Sequence, residues 1–400
     1  MDTPKLRFKK FSGEWQAKPL SSCLTISNLR NQDQSFDRDD VLSVSDEYGV
    51  VNQISLLGRS YAGEDISNYK VTLPGQLIYT KSPLKAKPYG IIKANHNRGI
   101  VSVLYAVYDV AELHSPSFLD YYFAPGYRTN KYLLPLVRKG AKNTLNISDP
   151  EFLLGKVAFP DDSKEQLAIT DYFDMISDII RCIEKEIESL RQVKTAAMVS
   201  MFPQKGENAP KVRFKGFDEP WTVDSIGNLF DERTERSSNG EMLSVTMRNG
   251  VIKASENGKV DNSSEDKSHY KVVKVNDIPY NTMRMWQGAC GCSDYDGIVS
   301  PAYTVLIPKD GVNASFFTVI FKTQNMLNAF KAHSQGLTSD NWNLKYAVIS
   351  TIPIKHPSSL TEQQKIAEFF QNLDRQIECQ TQILERLKRV KAACLDQMFV

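Results

Sequence analysis

"PKLRFKKFSGEW" runs from Pro4 to Trp15, and "PKVRFKGFDEPW" runs from Pro210 to Trp221. The two stretches share their first proline and last tryptophan, an Arg-Phe-Lys centre and a phenylalanine four residues before the tryptophan. Agreement of this kind between distant segments marks an internal repeat, and repeats decide architecture before local patterns do.

The repetition continues through the chain. "LSVSDEYGVV" at Leu42–Val51 answers "LSVTMRNGVI" at Leu243–Ile252. "SNYKV" from Ser67 answers "SHYKV" from Ser268, Tyr79 answers Tyr280, and "GIVS" from Gly99 returns from Gly297. Glu165–Phe202 and Glu362–Phe399 then run in parallel with an unbroken offset of 197. Offsets that drift between blocks place insertions and deletions in loops. The chain reads as a tandem duplication of a unit of roughly 200 residues, within the ordinary size of a domain.

Most of each unit alternates short strands and helices. "KVTLPGQLIYT" and "KVVKVNDIPYN" carry two apolar runs about a turn, and "GIVSVLYAVYDV" and "GIVSPAYTVLIP" are β-branched and aromatic, which suits a strand. "SFLDYYFAPGY" and "SFFTVIFKTQNMLNAF" begin short helices. The expected class is α+β, with a twisted, mainly antiparallel sheet in each unit.

The last quarter of each unit has a different period. Asp162 stands three residues before Glu165 and Ser359 three before Glu362, just after Pro160 and Pro357, which is a helix-start signature. Phe173, Ile176, Ile180, Ile183, Ile187 and Leu190 then alternate steps of three and four. Phe370, Leu373, Ile377, Gln380, Leu384 and Leu387 repeat the register, with Gln380 as a polar position that would fix it. Each helix would span about 57 Å at 1.5 Å per residue. So narrow a seam buries itself against another helix, and the twin in the same chain is the nearest partner. "SMFPQKGENAPKVRF" leads out of the first helix into the second opening phrase, and residues 1–4 resemble the tail of that linker. Joining Val400 to Met1 would close a two-unit ring, so the helices are expected to pair antiparallel as a coiled coil with pseudo-twofold symmetry.

The totals exclude several classes. A composition of 41% hydrophobic and 24% charged residues is globular, and a net charge of +2 favours no particular partner. No apolar run reaches the roughly 18 residues of a membrane span, and the N-terminus lacks the apolar stretch of a secretory signal. Six cysteines in 400 residues do not form a disulfide framework, so a reducing cytoplasm is expected. Cys290 and Cys292 form a lone CxC without a second pair, and no metal site is expected. No GxxxxGK phosphate loop is present. "NDIPY" at Asn276–Tyr280 comes near the Asp-Pro-Pro-Tyr motif of amino-methyltransferases, but Ile278 replaces the first proline and no glycine-rich cofactor loop precedes it. It reads as a strand end, and Glu165 and Glu362 read as caps. No catalytic residue is assigned. A duplicated chain of this kind reads as a binding scaffold.

Two stretches suggest what it binds. "KSPLKAKPYGIIKANHNR" at Lys81–Arg98 and "YRTNKYLLPLVRKGAKNTLN" at Tyr127–Asn146 are basic, acid-free and interleaved with tyrosine. Lys81, Lys85, Lys87, Arg128, Lys131 and Lys142 are candidate phosphate contacts on double-stranded DNA. In the second unit, Arg284 and Gln287 suit guanine and adenine edges, and Asn341 offers a further polar contact.

These residues carry a resemblance. The order domain, long helix, domain, long helix resembles the specificity subunit of a type I restriction–modification system. So do the repeated openings, the Pro160…Glu165-Gln166…Ile169 and Pro357…Glu362-Gln363…Ile366 helix starts, and the helix ends "VKTAAMVSMF" and "VKAACLDQMF". The resemblance implies target-recognition domains at 1–160 and 204–357 and spacer helices at 161–203 and 358–400. Each domain would read one half of a split DNA target, and the helices would set the spacing and dock two adenine-methyltransferase subunits, with motor-nuclease subunits joining. It implies a non-catalytic, cytoplasmic, bacterial or archaeal chain that binds no cofactor itself, within a complex that uses S-adenosylmethionine, ATP and Mg2+. The alternative is a structural coiled-coil adaptor joining two protein-binding domains. A symmetric adaptor would keep equivalent loops alike, whereas here the candidate reading loops differ.

Overall fold

The protein is described by a computed structural model. It describes residues 3–81, 84–139, 145–204, 206–258, 266–337 and 341–400. The chain divides into two compact units, Met1–Glu184 with Gln382–Val400, and Lys185–Thr381. Each long helix is therefore shared between the units.

In the first unit, four antiparallel strands lie in the order Leu24–Ile26, Tyr105–Val110, Leu77–Thr80, Ile91–Ala94. Leu77–Thr80 is buried on both faces, as its continuous apolar run requires. Lys70–Thr72 precedes it across a turn at Gly75, whose φ of +90° suits glycine, and pairs instead with Gly99–Val101. Phe152 stacks on both Tyr79 and Tyr108 at 4.9 Å, and Trp15, Phe118, Phe123, Phe159 and Phe173 complete the core.

The second unit repeats the plan with three strands, Phe230–Glu232, Tyr303–Pro308 and Ile278–Asn281. Its counterpart of the fourth strand is reduced to a single bridge between Tyr280 and Cys290. "GIVSVLYAVYDV" and "GIVSPAYTVLIP" each form two strands rather than the single strand expected. A serine breaks the run: Tyr105 N donates to Ser102 O and Tyr303 N to Ser300 O, both at 3.0 Å. The Ser102 and Ser300 hydroxyls accept from Leu104 N and Ala302 N, so Val103 and Leu104 turn out to solvent.

The long helices are Ser163–Ser200 and Leu360–Gln397. Within the first unit, Tyr172 meets Cys394, Lys391 donates to Ser177 at 2.7 Å, and Lys388 pairs with Glu184 at 2.8 Å. Within the second, Lys194 pairs with Asp374, and the Phe202 and Phe370 rings lie 5.8 Å apart. In both units rising numbers in one helix meet falling numbers in the other, so the local pairing is antiparallel. Phe173, Ile176, Ile187, Phe370, Leu373 and Leu384 are buried, and the remaining seam positions are half-buried.

The repeated opening phrase closes each unit on a helix end. Leu6 N donates to Gln397 O, and Val212 N donates to Ser200 O, both at 2.9 Å. Trp15 and Phe118 pack around Phe399, as Trp221 and Phe316 pack around Phe202. The last residues of the chain thus occupy in the first unit the place that the linker end of the first helix occupies in the second.

Glu165 and Glu362 do not act as the reciprocal caps expected. Arg7 Nε and Nη2 donate to Glu165 at 2.6 and 2.7 Å, and Arg213 donates to Glu362 at 2.6 and 2.8 Å. A two-pronged guanidinium–carboxylate pair is stronger than a carboxylate bonded to one neutral N–H. The pairing raises each guanidinium's pKa above its already high ordinary value, foremost through the shared hydrogen bonds. Asp162 and Ser359 remain as caps, accepting from Lys164 N and Glu362 N.

Candidate nucleic-acid interface

The structure sorts the basic residues of the first unit into two kinds. Lys87 is buried and donates to Asp46 at 2.5 Å. Arg128 is also buried: its guanidinium donates to Tyr122 O, Leu395 O and the Tyr127 hydroxyl, and lies over the Phe399 ring at 5.2 Å. Lys81 is half-buried and 3.3 Å from Asp149, which also pairs with Lys70. For Lys87 and Arg128 this corrects the expectation of surface phosphate contacts, because burial and internal partners take their donors. Lys85 and Lys131 are exposed with no ion pair among the described residues. Their segments touch, since Asn130 Nδ2 donates to Ala86 O at 3.2 Å. Lys142 lies outside the described residues.

In the second unit the candidates converge. Arg284 opens a short 3-10 turn, Met285–Gln287, whose Met285 side chain is fully buried and pins the turn to the core. Gly288 closes it at φ +81°, and Gly288 N donates to Met285 O at 2.8 Å. Leu344 N donates to Thr282 O at 2.9 Å, which ties the segment after Asn341 to this turn. The Trp286 and Trp342 rings meet edge to face at 5.2 Å, and Lys331 Nζ lies 5.8 Å from the Trp342 ring. Gln287 and Asn341 are exposed, Arg284 is half-buried, and none of the three side chains has a hydrogen-bond partner among the described residues.

Sequence reasoning missed Trp342 and Lys331, which carry no repeat and no periodicity. It also missed the Arg7–Glu165 and Arg213–Glu362 pairs, although both members recur at matching places in the two units.

The candidates for other chemistry are structural. Tyr280 of "NDIPY" is fully buried and donates to Leu344 O at 3.0 Å, while Asp277 receives Arg233 at 2.6 and 2.9 Å. Burial pushes the Cys290 thiol up to about 11, which disfavours the thiolate a metal would need. Among the described residues no group of three or more His, Cys, Asp or Glu could hold a metal ion, and no helix is long and apolar enough to cross a membrane.

Comparison with known proteins finds one matching family model and solved structures similar to this chain. Residues 218–389 match the family model of the type I restriction modification DNA specificity domain. The S subunit of a type I restriction–modification system from M. genitalium aligns with a TM-score of 0.60 at 12% identity, covering 100% of this chain and 99% of that chain. The HsdS subunit from Thermoanaerobacter tengcongensis aligns at 0.44 and 13% identity over 96% of each chain. A structure describing complex assembly and conformational transition of the type I R-M system aligns at 0.47 and 14% identity, over 96% of this chain and 97% of that chain. No curated protein matches the sequence significantly. Residues 218–389 therefore match the type I restriction modification DNA specificity domain, and the chain over its full length shares its fold with the S subunit from M. genitalium.

Proposed function

We propose that this chain is the non-catalytic DNA-reading subunit of a type I restriction–modification complex. Each unit reads one half of a split double-stranded target, and the long helices set the gap and dock methyltransferase subunits, with motor-nuclease subunits completing the assembly. S-adenosylmethionine, ATP and Mg2+ act in those partners.

One observation carries the reading: the two units share their scaffold and differ in their exposed loops. The Arg–Glu pair, the Trp–Phe–Phe cluster and the opening-phrase bond recur in both. The first unit presents Lys85 and Lys131, and the second presents Arg284, Gln287 and a tryptophan pair. Two different half-sites require such divergence, whereas a symmetric adaptor does not.

The test is reconstitution. The purified chain should leave DNA unmodified, and adding its methyltransferase subunits should methylate adenines at one split sequence. Methylation by the chain alone, or a continuous target, would contradict the proposal.

A further inference from the structure

Arg284 and Gln287 sit at the two ends of the 284–287 turn, free of internal partners among the described residues and fixed from below by buried Met285. Beside them stand two indoles and one lysine. Trp286 uses its Nε1 internally, donating to Met283 O at 3.1 Å, so the ring faces its surroundings as an apolar brace rather than a donor. Trp342 packs on it and lies beneath Lys331.

We infer that this turn is the guanine-reading element of the second unit, with Arg284 donating to O6 and N7 of one guanine in the major groove. The inference rests on the DNA-reading function proposed above and names its chemistry. A lone arginine on a rigid support suits bidentate base contact, because the planar fork has to arrive pre-aimed. A mobile lysine suits phosphate, and Lys331 stands at the rim for that purpose. Gln287, at the far end of the turn, matches the N6 and N7 edge of an adenine. The Trp286–Trp342 pair is the positioning element: it holds the turn against the segment that ends at Leu344.

The experiment is methylome sequencing of the chain assembled with its methyltransferase subunits, comparing wild type with Arg284→Ala, Arg284→Lys, Trp342→Ala and Trp342→Phe. Both Arg284 variants should relax a single G·C position in one half-site by roughly 5- to 150-fold, with the other half-site unchanged. Trp342→Ala should relax that position and its neighbours, and Trp342→Phe should restore most of the preference. If Arg284→Lys keeps the full target and Arg284→Ala lowers methylation evenly across sequences, Arg284 is a phosphate contact and the guanine assignment is wrong, although DNA reading stands. Absence of a split target in the wild type would overturn the assignment and the function together.

Discussion

Arg7 and Glu165, 158 residues apart, join through two short hydrogen bonds that fasten the opening phrase to the start of the first long helix. The Glu165 side chain is 1% exposed, so its charge relies on this partner. Arg213 and Glu362 repeat the arrangement 149 residues apart. Breaking a buried pair from one side strands a charge, whereas removing both members does not. Arg7→Ala should therefore destabilise the first unit by about 3–5 kcal/mol, and Arg7→Met with Glu165→Leu should cost less than either single change. Urea unfolding of Arg7→Met, of Glu165→Leu and of the double variant decides this, and equal losses for single and double variants would contradict it.

The chain end is a core element of the first unit. Phe399 contacts Trp15, Phe118, Tyr122 and Phe173. Phe399→Ala should cost about 3–5 kcal/mol, as for other large-to-small core changes, and Phe202→Ala should cost a similar amount in the second unit. Because Leu6 and Gln397 are hydrogen-bonded, a permuted chain joining Val400 to Met1 through a "PQKGENA" linker and opened near Gly206 should fold with a near-native melting curve. An unfolded permutant would contradict the placement of Leu6 beside Gln397.

Buried thiols should contribute to a loss of stability at alkaline pH. Burial pushes Cys23 up to about 12 and Cys290 up to about 11, against about 8.5 in an unfolded chain. Above pH 8.5 the unfolded state releases these protons first, so stability is fully present below that pH and falls as pH rises toward the folded values. Between pH 9 and 10, before most tyrosines titrate, Cys23→Ala with Cys290→Ala should flatten the decline. Thermal melts across that window measure it, and an unchanged slope would show that other groups cause the loss.

The basic residues of the first unit should separate by assay. Lys85→Ala with Lys131→Ala should keep the melting temperature and reduce the salt slope of DNA binding by up to about 0.9 per lost phosphate contact. Arg128→Ala should lower the melting temperature, because it leaves Tyr122 O and Leu395 O without their donor. A stable Arg128→Ala variant with a reduced salt slope would reverse this assignment.

Much of the architecture was legible in the sequence because it is written in patterns along the chain. The duplicated phrase, the three-four spacing from Phe173 to Leu190 and its copy from Phe370 to Leu387 announced two related units and two long helices. Helix and strand periods depend on residues near one another, so they survive reading in one dimension. Only the tertiary structure decided which charges are free. Lys85 and Lys87 stand two positions apart in one basic loop, yet Lys85 faces solvent while Lys87 is buried against Asp46. Arg128 looked like a surface cation until Leu395 and Phe399, from the far end of the chain, closed over it. The tryptophan pair that braces Arg284 joins Trp286 to Trp342. Burial and pairing depend on neighbours that folding brings from elsewhere in the chain, and no local pattern records them.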